Sequence, residues 1–223
     1  MTKTLTFDYS KFNGFAVTSY SQEGEDIILR RIFEGQKTGF YVDVGAHHPI
    51  RFSNTYYFYQ QGWKGINIDP SPNVMEIFRK KRDRDINLEM GVSDRCGQKE
   101  LFVFNEPALN SFNREYVDDI LATSDFRLLG STLVPVDTLE NILASHLGGE
   151  SIDFLNVDAE EHDLEVLRAN DWERFRPRYI LVECLDTQLD QVEGCRVHRF
   201  LTKNGYRPLA KTFNTLIFQD ATE

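Results

Sequence analysis

Carboxylates recur where the apolar runs of this chain stop. Phe40-Tyr-Val-Asp-Val44 carries Asp43 two residues before Gly45, and Gly65-Ile-Asn-Ile68 is followed by Asp69. The run from Ile152 to Val157 ends at Asp158, and Tyr179-Ile-Leu-Val182 ends at Glu183. A strand has no need of acids at its end, and unpaired carboxylates brought together repel. In an open α/β sheet, however, ligands bind beyond the carboxyl ends of the strands. The acids therefore predict a site for a ligand that offers hydrogen-bond donors or positive charge.

The loop after the first run narrows the choice. Val42-Asp43-Val44-Gly45-Ala46-His47-His48-Pro49 supplies one glycine for a tight turn. It lacks the second and third glycines with which a dinucleotide fold brings backbone up to a pyrophosphate and packs helix on strand. Two imidazoles and a proline stand there instead. S-adenosylmethionine suits such a loop better, because it has no phosphate and carries a sulfonium, an ammonium and two ribose hydroxyls. Asp69 is placed to accept from that diol, the role an acid plays at the end of a second Rossmann strand. A nicotinamide-dependent oxidoreductase is the rival on the same architecture.

The elements that must hold these groups alternate between apolar runs and helical spacing, the pattern of a parallel sheet covered on both faces. Ser21 is expected to cap a helix containing Ile28, Leu29, Ile32 and Phe33. Ser71-Pro72 opens another, with Val74, Ile77 and Phe78 as its buried stripe and Lys80, Lys81, Arg82 and Arg84 at its exposed, cationic end. Ile86 to Ser93 reads as a third strand, with Leu101 to Phe104 a short partner. Leu133 to Val136 leads to Asp137, which with Glu140 has capping-box spacing. Val197, Phe200 and Leu201 mark the last helix, stopped by Gly205, and Tyr206–Lys211 with Thr215–Phe218 a closing hairpin. The stretch 105–130 breaks this rhythm. It carries Phe112, Tyr116 and Phe126 among polar residues, as lids and binding loops do.

The whole chain sets bounds on function. Its 223 residues suit one domain, 1–223, with 105–130 as a substrate-covering insertion. A net charge of −10 opposes nucleic-acid binding, and no Lys/Arg stripe mixed with aromatics offsets it. No apolar run approaches the roughly 20 residues that cross a bilayer. The first ten residues lack the basic start and apolar stretch of a secretory signal, so a cytoplasmic location is expected. Cys96, Cys184 and Cys195 are odd in number and without CxxC spacing, which reads as three separate thiols in a reducing compartment rather than a disulfide framework or zinc site.

Several runs together resemble the FkbM-type methyltransferase family: Ser21-Gln-Glu-Gly-Glu-Asp26, Tyr41-Val-Asp-Val-Gly-Ala46, Arg51-Phe-Ser-Asn-Thr55, Gly62-Trp-Lys-Gly-Ile-Asn-Ile-Asp69 and Asp153-Phe-Leu-Asn-Val-Asp158. The resemblance spans roughly residues 18 to 185. It implies a class I methyltransferase fold, S-adenosylmethionine as donor, and O-methylation of natural products or sugars. By position, Asp43, Gly45 and Ala46 fall in the family's cofactor loop, Asp69 on its ribose acid and Asp158 on the acid ending the fourth strand. Asn54, in the Arg51–Thr55 run, and Ser93, at the end of the third strand, complete the expected cofactor set. Two departures stand out. The family usually has Asn where this chain has His47, and Asp-x-Glu-Gly where it has Asp158-Ala-Glu-Glu161.

The expected architecture is a seven-stranded, mostly parallel sheet of order 3-2-1-4-5-7-6 with helices on both faces. Methyl transfer from a sulfonium is an in-line displacement, so orientation carries much of the acceleration, roughly 7–11 kcal/mol. A hydroxyl acceptor on a small molecule or glycan must also lose its proton. Asp158, Glu160 and His162 are the candidates for that catalysis. His162 titrates near neutrality when unperturbed, Glu160 matches the family's acid, and Asp158 anchors the run. The competing reading makes Asp158 and Glu161 a capping box for the next helix. Asp158 and Glu183 would also suit a hard divalent cation such as Mg²⁺. A non-catalytic module that keeps the pocket is the second rival, with Glu161 as its mark.

Overall fold

A computed structural model describes residues 16–222 except Asp186. Five parallel strands make its centre: β1 (Phe40–Val44), β2 (Lys64–Ile68), β3 (Ile86–Leu88), β7 (Phe154–Val157) and β8 (Tyr179–Glu183). The hairpin β9 (Tyr206–Lys211) and β10 (Thr215–Asp220) completes a seven-stranded sheet of order β3-β2-β1-β7-β8-β10-β9, with β10 antiparallel to both neighbours. Counted within the sheet, this is the expected 3-2-1-4-5-7-6. The remaining strands, β4 (Gly91–Val92), β5 (Gly97–Phe104) and β6 (Leu128–Asp137), form a separate ribbon of order β4-β6-β5.

Both sheet faces are buried because successive side chains point to opposite sides. Val42, Val44, Ile66, Ile68, Leu155, Val157, Ile180 and Val182 meet α5 (Leu139–His146), α6 (Asp163–Arg168) and α7 (Arg196–Lys203) on one face. On the other, Tyr41, Phe154, Leu181 and Ile217 pack on Leu29 of α1 (Glu25–Ile32), on Phe33 just after it, and on Phe58 and Tyr59 of α2 (Tyr56–Gln60). That second face also carries a polar band. Asp43 stands in register between Asn67 and Asn156 on the flanking strands.

The local expectations are corrected in several places. The predicted strand Ile86–Ser93 is two strands: β3 ends at Leu88, and Gly91–Val92 turns away to pair with β6. The short runs at 101–104 and 133–136 are parts of much longer ribbon strands. α3 (Val74–Lys81) starts after Asn73, so Pro72 lies in the preceding turn, and its buried residues are Met75 and Phe78, while Ile77 is exposed. Ser21 is not the cap of α1, which begins after Gly24; its hydroxyl bonds Asp26 instead. Thr138, not Asp137, caps α5 by accepting from the Asn141 N–H.

Arg82 is the largest reversal. It is fully buried rather than solvated. Its guanidinium bonds Asp85 at 2.8 Å, Thr55 Oγ1 at 2.9 Å and the Tyr41 hydroxyl at 2.8 Å. A guanidinium is tolerated in a core only when its charge and donors are met this completely. The thiols are corrected as well. Cys184, after β8, and Cys195, at the start of α7, are brought close together rather than kept apart, and Cys96 is free and exposed.

Residues 105–127 connect β5 to β6, so the predicted insertion is the end of a hairpin rather than a break in the sheet. α4 (Arg114–Thr123) lies within it, capped by Asn113, whose side chain accepts from Glu115 and Tyr116. Phe102, Phe104 and Val117 give this piece a small core of its own. No described helix is long and apolar enough to cross a membrane.

Candidate functional site

A cleft opens at the carboxyl ends of β1, β2 and β7, lined by Asp43, Gly45, Ala46, Asp69, Asp158, Glu160 and His162. Its floor is a tight backbone crossing. Gly45 N–H donates to the Ile68 carbonyl, and Asp158 N–H to that of Val44. Gly45 has φ +77, and a Cβ there would sit 1.6 Å from the Asp158 carbonyl oxygen. No other residue fits.

Asp69 shapes the wall beside it. One carboxylate oxygen accepts from His47 N–H and the other from Ser71 N–H, both at 2.8 Å. His47 itself has φ +51. Asn and His are among the few L residues that enter the left-handed region readily, so the family's Asn and this chain's His meet the same backbone demand. Asp43 lies deeper. It accepts from Thr55 Oγ1 at 2.7 Å and Asn156 Nδ2 at 2.9 Å. Burial pushes its carboxyl up, and the nearby Arg82 charge, with the hydrogen bonds from Thr55 and Asn156, works in the opposite direction.

The rim after β7 is different in kind. Glu160 and Glu161 follow one another at φ +49 and +66. Side chains in that region cost roughly 1–2 kcal/mol each, and Glu161 stands where the family places glycine. Asp158 Oδ1 is buried without a hydrogen-bond partner. Burial, with Glu183 and Glu160 nearby, raises the Asp158 carboxyl well above the usual range. Burial lifts Glu160 to about 7, against a 2.6 Å hydrogen bond donated by the Tyr116 hydroxyl. Asp163 is likewise raised to about 7 by burial, and Glu183 is raised by burial and by Glu160. The capping box is not formed. α6 begins after His162, and Asp163 rather than Asp158 holds the turn, accepting from Ala159 N–H.

The predicted residues are not all brought together. His162 lines the cleft, with its ring 5.6 Å from that of Phe112, but Nε2 lies 3.0 Å from both Lys99 Nζ and Glu165. Burial and Lys99 lower its pKa. Ser93 is outside the cleft lining, its hydroxyl bonded to Glu165 at 2.8 Å. Asn54 also lies outside that lining. It donates to Asn156, which holds Asp43. Both residues miss the cleft because the strand turn at Met90 and the Asn156 bond aim them elsewhere. Among the described residues, no group of three or more His, Cys, Asp or Glu side chains is arranged to hold a metal ion.

Sequence reasoning missed the tie between hairpin and rim. The segment 105–127 contributes Pro107, Asn110, Ser111 and Phe112 to the cleft. Arg51 and Glu106 form a two-pronged ion pair, Asn110 donates to Ser71, and Ser111 Oγ donates to the Glu160 carbonyl.

Residues 43–208 match the methyltransferase FkbM domain. The chain belongs to the FkbM methyltransferase family. That membership sets aside the nicotinamide-dependent rival and agrees with the sheet order, the lone Gly45 and the acids at the strand ends. No curated protein matches the chain significantly.

Proposed function

We propose that this protein transfers a methyl group from S-adenosylmethionine to a hydroxyl of a small molecule or glycan. The observation that carries the reading is the donor set of the cleft. Asp69, Asp158 and Glu160 present carboxyl oxygens around a glycine crossing, and Asp158 Oδ1 is a buried acceptor awaiting a donor. Such a set fits an ammonium, a sulfonium and a ribose diol, and it repels phosphate. When bound, the cofactor supplies an electrophilic methyl on sulfur.

Asp69 would accept from the ribose hydroxyls with the lone pairs its backbone bonds leave free. Asp158 would hold the ammonium. Glu160 would take the proton of the acceptor hydroxyl, and a carboxyl near neutrality suits that task, worth about 10²–10⁴-fold. His162, engaged by Lys99 and Glu165, would serve as a wall. The hairpin segment 105–127 would cover the acceptor.

The test is ligand-dependent melting. A ligand bound only by the folded state adds RT ln(1 + [L]/Kd), about 2.7 kcal/mol at a hundredfold excess over Kd. S-adenosylhomocysteine should raise the melting temperature, and NADH should not. A shift with NADH alone overturns the reading. Binding of S-adenosylmethionine with no labelled methyl passed to any hydroxyl compound of a broad panel would favour the non-catalytic module.

A further inference from the structure

We infer that Tyr116 is a positioning residue for Glu160: reaching from the hairpin, it fixes the carboxyl that removes the acceptor's proton and favours its ionised form. The inference rests on Glu160 being that base. Three observations meet at this residue. The Tyr116 hydroxyl donates to Glu160 Oε2 at 2.6 Å, a charge-assisted bond of the short, strong kind. Ser111 Oγ, from the same segment, donates to the Glu160 carbonyl at 2.9 Å, so backbone and side chain are held together. Glu160 also has φ +49, a conformation an L residue keeps only where its surroundings impose it.

The clamp is itself well built. Asn113 caps α4 by accepting from Tyr116 N–H and Glu115 N–H, and Ser111 Oγ accepts from Asn113 N–H. Tyr116 and Ser111 are thereby fixed in one rigid turn.

Charge explains why a tyrosine is needed. Glu160 lies near Asp158 at the end of β7, Glu183 at the end of β8, Glu161 next to it and Asp163 at the start of α6. Glu160 raises Asp158 and Glu183, while burial, Asp163 and Glu161 disfavour its own ionised form. Tyr116 supplies the donor that opposes them, and its own proton is secure, because burial and the same carboxylates push the phenol far up. Phenylalanine would fill the same space without the donor.

The experiment needs no knowledge of the acceptor. Protein labelled with carbon-13 at the glutamate side-chain carboxyl is titrated by NMR, and Glu160→Gln identifies the Glu160 signal. Tyr116→Phe should move the Glu160 midpoint upward, with about a tenfold or larger loss in its ionisation constant. Calorimetry should find the affinity for S-adenosylhomocysteine nearly unchanged in that variant. A midpoint that Tyr116→Phe leaves in place overturns the inference. A wild-type protein that binds no S-adenosylhomocysteine, yet shows the midpoint shift, overturns the methyl-transfer reading and leaves the clamp standing.

Discussion

The two sides of the cleft are built on opposite terms. At the floor, around Gly45, Asp43 and Asp69, the carboxylates meet hydrogen-bond donors from the protein and the crossing strands lock together through backbone bonds. At the rim, Asp158 to Asp163, two consecutive residues hold left-handed backbone, one buried oxygen has no partner, and several carboxyls are raised by burial and by each other. The floor is what a preorganised binding surface requires. The rim combines backbone strain with raised carboxyls, features that cluster at functional sites.

The contrast breaks most severely at Gly45. Gly45→Ala places a methyl inside the Asp158 carbonyl, so β1 and β7 must part at their ends. The expected loss is about 4 kcal/mol or more in urea denaturation, the range reserved for structural collisions. S-adenosylhomocysteine binding should vanish with it. Normal affinity in this variant would show that the crossing is not the floor of the site.

Next come the two acids with assigned work. Glu160→Gln should lower kcat by about 10²–10⁴-fold with cofactor affinity kept, once an accepted hydroxyl compound is in hand. Asp69→Ala should show the reverse pattern. Losing bonds to a charged group at roughly 1.5–3 kcal/mol each costs well over tenfold in affinity by calorimetry. Since Asp69 also holds His47 and Ser71, that variant should loosen the loop, seen as faster amide exchange there. Affinity equal to wild type would confine Asp69 to loop shaping.

Smaller effects test the strain itself. Glu161→Gly should stabilise the protein by about 1 kcal/mol, since glycine adopts φ +66 without penalty. For a chain of this size that is about 2–4 °C in melting temperature. The pH dependence follows the same logic. Burial raises Glu160, Asp163 and Glu183 in the folded state, so that state keeps protons the unfolded chain has already released. Their contribution to stability therefore falls as pH climbs from the ordinary carboxylate range through about 7 and beyond. Glu183→Gln should melt higher than wild type at pH 8 and alongside it at pH 5. Parallel curves at both pH values would mean that Glu183 is not raised.

Much of this could be read from the chain. The sheet order follows from apolar runs alternating with helical spacing, and Gly45, Asp69 and Asp158 stand where strands end. What escaped depends on distance in space. Arg82 looked like one more cation closing a helix, because nothing local shows that Asp85, Thr55 and Tyr41 surround it. A signal was nonetheless present. Asn67 and Asn156 interrupt apolar strands at the register of Asp43, and three polar residues abreast in a sheet core imply a buried network. The Tyr116–Glu160 bond, across 44 positions, had no such trace. Ile86–Ser93 was misread as one strand because periodicity persists across Met90 while the pairing partner changes from β2 to β6.

The ribbon β4-β6-β5 has a consequence for how such a protein can change. The segment 105–127 leaves and returns through paired strands and packs its Val117 on Phe102 and Phe104, so its fold is closed on itself. Its ties to the rest include Arg51 with Glu106, Ser71 with Asn110, His162 with Phe112, and Glu160 with Ser111 and Tyr116. A piece attached in this way behaves as a cassette. Replacing the residues between those ties alters what lies over the cleft while the seven-stranded sheet, and the floor of the cleft with it, is left undisturbed. On the function proposed here, exchange of this hairpin end between relatives should redirect which hydroxyl is methylated, and it is the part of the chain where new acceptors can evolve at least cost to the fold.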